Sequence, residues 1–400
     1  MYCTRKLTEQ VWWVGGSDRR LALFENLFPI TRGVSYNSYL ILDEQTAVVD
    51  TVDSSISRQF LENVLHTLDG RPLNYLVINH MEPDHCASIE TLLLRFPTLK
   101  LVGNAKTFAF MGQFYDFPLD GRTVTVKEGD TLSLGGHTLQ FHMTPMVHWP
   151  EVMMTYESSE KLLFSADAFG SFGATGGNLF NDELNFDRDW LDARRYYGNI
   201  VGKYGLQVQA ALKKLSGLDI AMICPLHGPI WRSNLDYLLD KYDKWSRYEP
   251  EERAVAVLYA SMYGDTENAV NLLAAGLADG GVKNIAMHDI SSTHVSTLIS
   301  EVFRCSHLVL AAPTYNNGVY PAMATFLHDM KALGLQNRTV ALVENGSWAP
   351  VSGKLMREML GELKGFQVLE PVVSLKSALK DSSLEPLFQL RDRILDSLNG

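Results

Sequence analysis

The last 150 or so residues constrain the fold most tightly. Ala254–Ala260 (AVAVLYA) is a continuous apolar run of strand length. A helical pattern over 267–278 follows, then NIAMHDI, a second helical stretch, HLVLAAP, a helix near 321–333 and TVALVEN. Strands with no polar face, alternating with helices, belong to a parallel sheet covered on both sides. About five such strands in this length predict a doubly wound α/β unit.

The first 250 residues follow a different grammar. Short β-rich runs (VSYNSYLIL, TAVVDTV, LNYLVIN, LKLVGN, RTVTV, HTLQFHMT, VMMTYE, KLLFSAD) are bounded by Gly, Asp, Asn or Pro, which favours strands. Helical patterns at Ser55–Leu68 and Ser88–Phe96 lie between some of them, giving mixed α/β layers. A polar and aromatic helical pattern, LDYLLDKYDKWSRYEPEER, leads out of this region. Four hundred residues exceed what one core usually serves. Pro250, in the charged segment Tyr248–Arg253, marks the expected boundary between domains 1–250 and 251–400.

Composition excludes several classes of function. Lys and Arg number 35 against 46 Asp and Glu, a net charge of −11. That balance argues against nucleic acid or an anionic membrane as partner. No run approaches the roughly 18–20 apolar residues that span a bilayer, and the start, MYCTRKLTEQVWWVGG, lacks the pattern of a secretory signal. A soluble, cytoplasmic protein is expected. Cys3, Cys86, Cys224 and Cys305 are scattered, with no C-x-x-C pair. This fits a reducing compartment and excludes a built-in rubredoxin-type iron site or zinc ribbon.

The segment LVINHMEPDHCAS sets His80, Glu82, Asp84 and His85 just past the strand-like run Leu76–Asn79. His148 follows HTLQFHMT, Asp167 ends KLLFSAD, and His227 follows DIAMICPL. Each stands at or beyond the C-terminal end of an expected strand, where loops converge into one crevice. Four imidazoles and three carboxylates are too many for one catalytic ion, which takes about three protein ligands. They suit two ions about 3.5–4 Å apart that share one carboxylate, and Asp167 is the expected bridge. Imidazole with carboxylate suits Fe, Mn or Zn, and the carboxylate of Glu82 favours a harder, oxidisable metal. His66, His137, His142, His288, His294, His307 and His328 lack such company and read as structural or surface residues. Tyr196 and Tyr197 read as packing residues whose hydroxyls could donate to a bound oxygen species.

A second constellation follows the first strand of the C-terminal half: Ser261, Met262, Tyr263, Gly264, Asp265, Thr266, Glu267 and Asn268. A strand, a hydroxyl-rich turn with one Gly and a helix N-terminus together make an anion site. With neither G-x-x-x-x-G-K-[ST] nor G-x-G-x-x-G present, a mononucleotide is favoured over a nucleoside triphosphate or a dinucleotide. Two later strand ends carry Pro313, Thr314, Tyr315, Asn316, Asn317 and Gly318, and, after Glu344, Asn345, Gly346, Ser347 and Trp348. These loops can read the edge of a planar ring, and Trp348 can cover its face.

The block HMEPDH, with His148, Asp167 and His227 downstream, resembles the metal signature of the flavodiiron proteins. GVSYNSYLI, VHWPE, FSADAFG and PLHGPIWR are similar to that family too, and the likeness covers essentially the whole chain. The resemblance implies a metallo-β-lactamase-like αββα sandwich followed by a flavodoxin-like doubly wound parallel sheet. It implies one iron on His80, Glu82 and His148, another on Asp84, His85 and His227, and Asp167 bridging both. Hydrolytic relatives of the wider superfamily usually show H-x-H-x-D-H with zinc, and here Glu82 replaces the middle His. A zinc metallohydrolase with a regulatory flavodoxin domain is therefore the alternative reading. The three loops resemble the FMN-binding loops of flavodoxins, although E-N-G-S-W-A-P departs from the G-S-x-G-W type of third loop found in many flavodiiron proteins. By resemblance, the chain reduces O2 to water, NO to N2O, or both, fed by a separate donor such as rubredoxin or a reduced cofactor. A head-to-tail homodimer or dimer of dimers, in which the FMN of one subunit meets the irons of the other, is implied as well.

Overall fold

The computed structural model describes residues 2–400. They form two compact units, one ending at Asp243 and the other beginning at Lys244.

The first unit is built on two sheets whose strands lie in chain order. One comprises β1 (Arg5–Lys6), β2 (Val11–Trp13), β3 (Tyr39–Leu42), β4 (Thr46–Val49), β5 (Tyr75–Val77), β6 (Lys100–Gly103) and β7 (Thr123–Thr125). It is antiparallel through β4 and parallel from β4 to β7. The other comprises β8 (Thr131–Ser133), β9 (Thr138–Met143), β10 (Met153–Glu157), β11 (Leu162–Phe164) and β12 (Met222–Cys224), with only β11 and β12 parallel. Val11, Tyr39, Ile41 and Val77 of one sheet share a single buried cluster with Phe141, Met153, Phe164 and Cys224 of the other. Removing those faces from water, at about 25 cal/mol per Å² of apolar surface, drives the sandwich together. Helix Ser57–Leu68 turns Phe60, Val64 and Leu68 inward and caps its own end with Asp69 in the left-handed region.

One expected strand divides. VSYNSYLIL becomes Val34–Tyr36, paired with Gly16–Asp18, and β3, which belongs to the main sheet. The interruption is Asn37, fully buried, whose amide donates to the carbonyls of Pro225 and Gly228 at 2.9 and 3.0 Å and accepts from Trp13 Nε1 at 2.9 Å. A side chain pinned on three sides cannot lie flat in a ladder. The helical pattern beginning at Leu235 likewise stops at Ser246, because Tyr248 adopts a φ of 56° and Pro250 follows.

In the second unit β13 (Glu252–Tyr259), β14 (Ala286–Asp289), β15 (Cys305–Tyr315), β16 (Thr339–Asn345), β17 (Gln367–Val368) and β18 (Val373–Leu375) run parallel. The order is β14-β13-β15-β16, with β17 and β18 both on the far edge of β16. The order reverses between β13 and β15, and a crevice opens beyond the C-terminal strand ends at such a point. Among the described residues, no helix is long and apolar enough to cross a membrane.

Candidate metal centre and flavin cleft

The loops after β5, β9, β11 and β12 bring all seven sequence-assigned residues together. His80, Glu82, His148 and Asp167 offer ligand atoms within 4.8 Å of one another, and so do Asp84, His85 and His227. Asp167 lies between the groups. Its Oδ2 is 2.9 Å from His148 Nε2 and 3.3 Å from His80 Nε2, while Oδ1 is 3.2 Å from His85 Nε2 and 3.7 Å from His227 Nε2. Glu82 Oε2 is 3.1 Å from the Nε2 atoms of both His80 and His148. Asp84 Oδ2 takes the matching place, 3.3 Å from His85 and 3.2 Å from His227.

Two of the imidazoles are held from behind. His80 Nδ1 contacts Glu151 Oε1 at 2.8 Å, and His227 Nδ1 donates to the Ser35 carbonyl at 2.8 Å. A ring that gives its Nδ1 proton outward keeps the Nε2 lone pair facing inward. Asp50 fixes the loop after β5, accepting from the backbone N–H groups of Asn79 and His80 and from the Asn79 amide. Phe24, Tyr36, Tyr196 and Trp149 surround the rings, with Phe24 5.2 Å and Tyr196 5.6 Å from His227 between centroids. Sequence reasoning did not reach Glu151, Asp50 or Glu25. Glu151 stands in VHWPE beside His148, and the need of a ligating histidine for an outer carboxylate was its only signal.

Electrostatics shows what the cluster requires. Burial opposes a charged His80, yet Asp167 above all, with Glu151 and Glu82, raises its pKa well above the ordinary histidine value. Burial likewise opposes protonation of His148, which hydrogen bonds to Asp167 and Glu82 nonetheless push up to about 9. Asp167, against its burial, is held well below the usual carboxylate range by His85 and His80. Positive charge is demanded here, and protons and metal ions compete for the same lone pairs. Buried Asp84 Oδ1, Asp167 Oδ1 and His85 Nδ1 have no hydrogen-bond partner. Buried polar atoms without partners are rare in folded proteins. The donor set fits a pair of metal ions.

In the second unit a cleft of about 710 Å³ opens at the switch point. Ser261, Met262, Tyr263, Asp265, Thr266, Pro313, Thr314, Tyr315, Asn316, Asn317, Asn345, Gly346, Ser347 and Trp348 line it, with Ser377. Gly264, Glu267, Asn268 and Gly318 serve the loops rather than the lining. Gly264, at φ 92°, starts helix Asp265–Asp279, and Ser261 Oγ accepts from the N–H groups of Gly264 and Glu267. Asn268 N–H closes that turn on the Gly264 carbonyl. Gly318 pairs with Tyr315 across a hairpin whose central Asn316 and Asn317 have φ of 50° and 58°, as a type I′ turn requires. Trp348 is 80% exposed and Tyr263 91%, and open aromatic faces flanking a cleft suit a planar ring. Ser377, missed from sequence, follows β18 and binds Asn345 through its N–H and carbonyl. The fifth strand end of the doubly wound order was the signal for it.

The family model described as "ODP family beta lactamase" matches residues 34–228, and the model described as "Flavodoxin" matches residues 257–389. The anaerobic nitric oxide reductase flavorubredoxin of Pectobacterium atrosepticum is 32% identical over 86% of this chain and 68% of its own. The rubredoxin oxygen:oxidoreductase of Desulfovibrio gigas superposes with a TM-score of 0.90 at 29% identity, over 99% of both chains. The flavodiiron protein of Giardia intestinalis also reaches 0.90, at 25% identity over 100% of this chain and 97% of its own. A metallo-β-lactamase-like sandwich carrying a paired-metal cluster, joined to a flavodoxin-like unit, defines a flavin-linked oxidoreductase. The chain belongs to the flavodiiron protein family. That membership sets aside the zinc hydrolase.

Proposed function

We propose that the protein reduces O2 to water, NO to N2O, or both, using two irons in its first unit and FMN in its second. Asp167 carries the reading, because its two oxygens face different ligand groups. His80, Glu82 and His148 would hold one iron, Asp84, His85 and His227 the other, and Asp167 would bridge them. When bound, the irons and flavin supply electrons and open positions for a diatomic gas. The relatives named nitric oxide reductase and rubredoxin oxygen:oxidoreductase support these substrates, and the latter name supports a rubredoxin-type donor.

The chain's own residues position groups and handle protons. Glu151 and the Ser35 carbonyl orient His80 and His227. The Tyr196 hydroxyl, buried and without a hydrogen-bond partner, stays protonated because burial and then Asp167 raise its pKa well above the ordinary tyrosine value. It is a donor held at the wall of the site. Glu25 is exposed, and surrounding protein and then repulsion from Glu82 push it up to about 7.

Residues 1–250 would form the metal-binding domain and residues 251–400 the FMN-binding domain of a cytoplasmic head-to-tail homodimer or dimer of dimers. The test is O2 and NO consumption by anaerobically reduced protein, with iron and FMN quantified per chain. Glu82→Ala and Asp167→Ala each abolish turnover of both gases while FMN stays bound. Full activity in either variant overturns the assignment.

A further inference from the structure

A third cluster lies at the other end of the β8–β12 sheet. His137 immediately precedes β9 and Glu157 ends the antiparallel β10, whereas His148 follows the opposite end of β9. His137, Glu157 and Glu160 offer ligand atoms within 4.8 Å of one another.

The histidine is oriented toward this group. Asp43, in the loop after β3 of the first sheet, accepts from the His137 N–H at 2.6 Å, and the same oxygen is 2.9 Å from Nδ1. With its Nδ1 proton given to Asp43, the neutral ring keeps a lone pair on Nε2. That nitrogen is buried and has no hydrogen-bond partner, in a residue only 2% exposed. The nearest carboxylate oxygen, Glu160 Oε2, is 3.7 Å away, too far for a hydrogen bond. Glu157 is fully buried, and among the described residues its oxygens accept only from the backbone N–H groups of Ser159 and Glu160, at 2.8 and 2.7 Å. Among the described residues, no Lys, Arg or His nitrogen lies within ion-pair distance of it. A buried carboxylate without a counter-charge and a buried lone pair facing carboxylates are both unfavourable until a cation joins them.

We propose that His137, Glu157 and Glu160 form a third metal site for a divalent ion of the zinc class, bound in a structural role. One imidazole and two carboxylates leave a fourth tetrahedral position for water. An imidazole ligand selects zinc-like ions over calcium or magnesium. Asp43 completes a carboxylate–histidine–metal arrangement. Thr8, between β1 and β2, donates to Glu160 Oε2 at 2.6 Å. The ion therefore ties the β1–β2 and β3–β4 loops of one sheet to the β8–β9 and β10–β11 turns of the other. It acts as a clamp between the two layers, apart from the diiron centre.

Iron- and FMN-loaded full-length protein dialysed against zinc tests this, with zinc and iron per chain read by elemental analysis and unfolding by thermal melt. Wild type takes up one zinc beyond its irons and melts higher for it. Glu160→Gln retains an acceptor for Thr8 and weakens zinc binding at least tenfold, His137→Gln abolishes it, and Asp43→Asn weakens it about 10–100-fold. Iron content and gas consumption stay at wild-type levels in these variants. If wild type takes up no zinc, the proposal falls. Equal uptake by wild type and both ligand variants also overturns it.

Discussion

Each oxygen of Asp167 has its own neighbours, and two of the neighbouring imidazoles, His80 and His227, are braced by Glu151 and the Ser35 carbonyl. This makes the outer residues sensitive test points. Glu151→Gln keeps an acceptor near His80 Nδ1 but removes the charge that holds the ring. Iron affinity should fall about 10–100-fold in chelator competition, with FMN content unchanged. The second unit offers a titrating residue of its own. His307, buried between Ser306 and Ser397, is lowered to about 4 by burial and then by Arg253. Its folded pKa lies below the unfolded value, so the unfolded chain takes the proton first as pH falls. The stability it supports is intact above about pH 6.5 and is lost toward pH 4, by at most about 3 kcal/mol. Urea unfolding followed by flavin fluorescence should show that slope, and His307→Gln should flatten it. The seven clustered residues were legible as a group because H-x-E-x-D-H fixes four of them at once and each of the others ends its own strand segment. Glu151, Asp50 and Glu25 were not, because a lone carboxylate carries no spacing of its own.

At the scale of elements, the flavin cleft depends on turns more than on strands. Gly264 sits at φ 92° with nothing within 4 Å of where a Cβ would stand. Gly264→Ala therefore meets no clash and pays only the left-handed backbone penalty, about 1–2 kcal/mol. If the loop keeps this shape around FMN, the apoprotein should bind FMN about tenfold more weakly in a fluorescence titration, with little change in melting temperature. The strands of this unit were readable because β13, β15 and β16 are apolar on both faces. The first unit was harder. Asn37 breaks one apolar run between two ladders through contacts with Trp13 and with Pro225 and Gly228, which lie far along the chain. No local pattern announces a break made by tertiary contacts, and Ser377 escaped notice because β18 is a short edge strand.

At the scale of the whole molecule, the head-to-tail dimer proposed above has one chain's flavin serve the other chain's metals. Mixed subunits test this. An Asp167→Ala chain keeps its flavin cleft but lacks the bridging carboxylate, and a Ser261→Ala/Trp348→Ala chain keeps its metal centre but has a weakened cleft. Each homodimer is expected to be inactive at limiting FMN. In the head-to-tail dimer proposed here, a hybrid pairs the intact cleft of one chain with the intact metal centre of the other, giving one working site of two. Random reassociation of equal amounts makes half the dimers hybrid, so gas consumption should recover to about a quarter of wild type. Electron transfer within a single chain predicts no recovery, since neither partner carries both intact groups. Dissociation and reassociation of wild type alone sets the reference rate, so the recovered fraction reports the pairing of sites and not the yield of refolding.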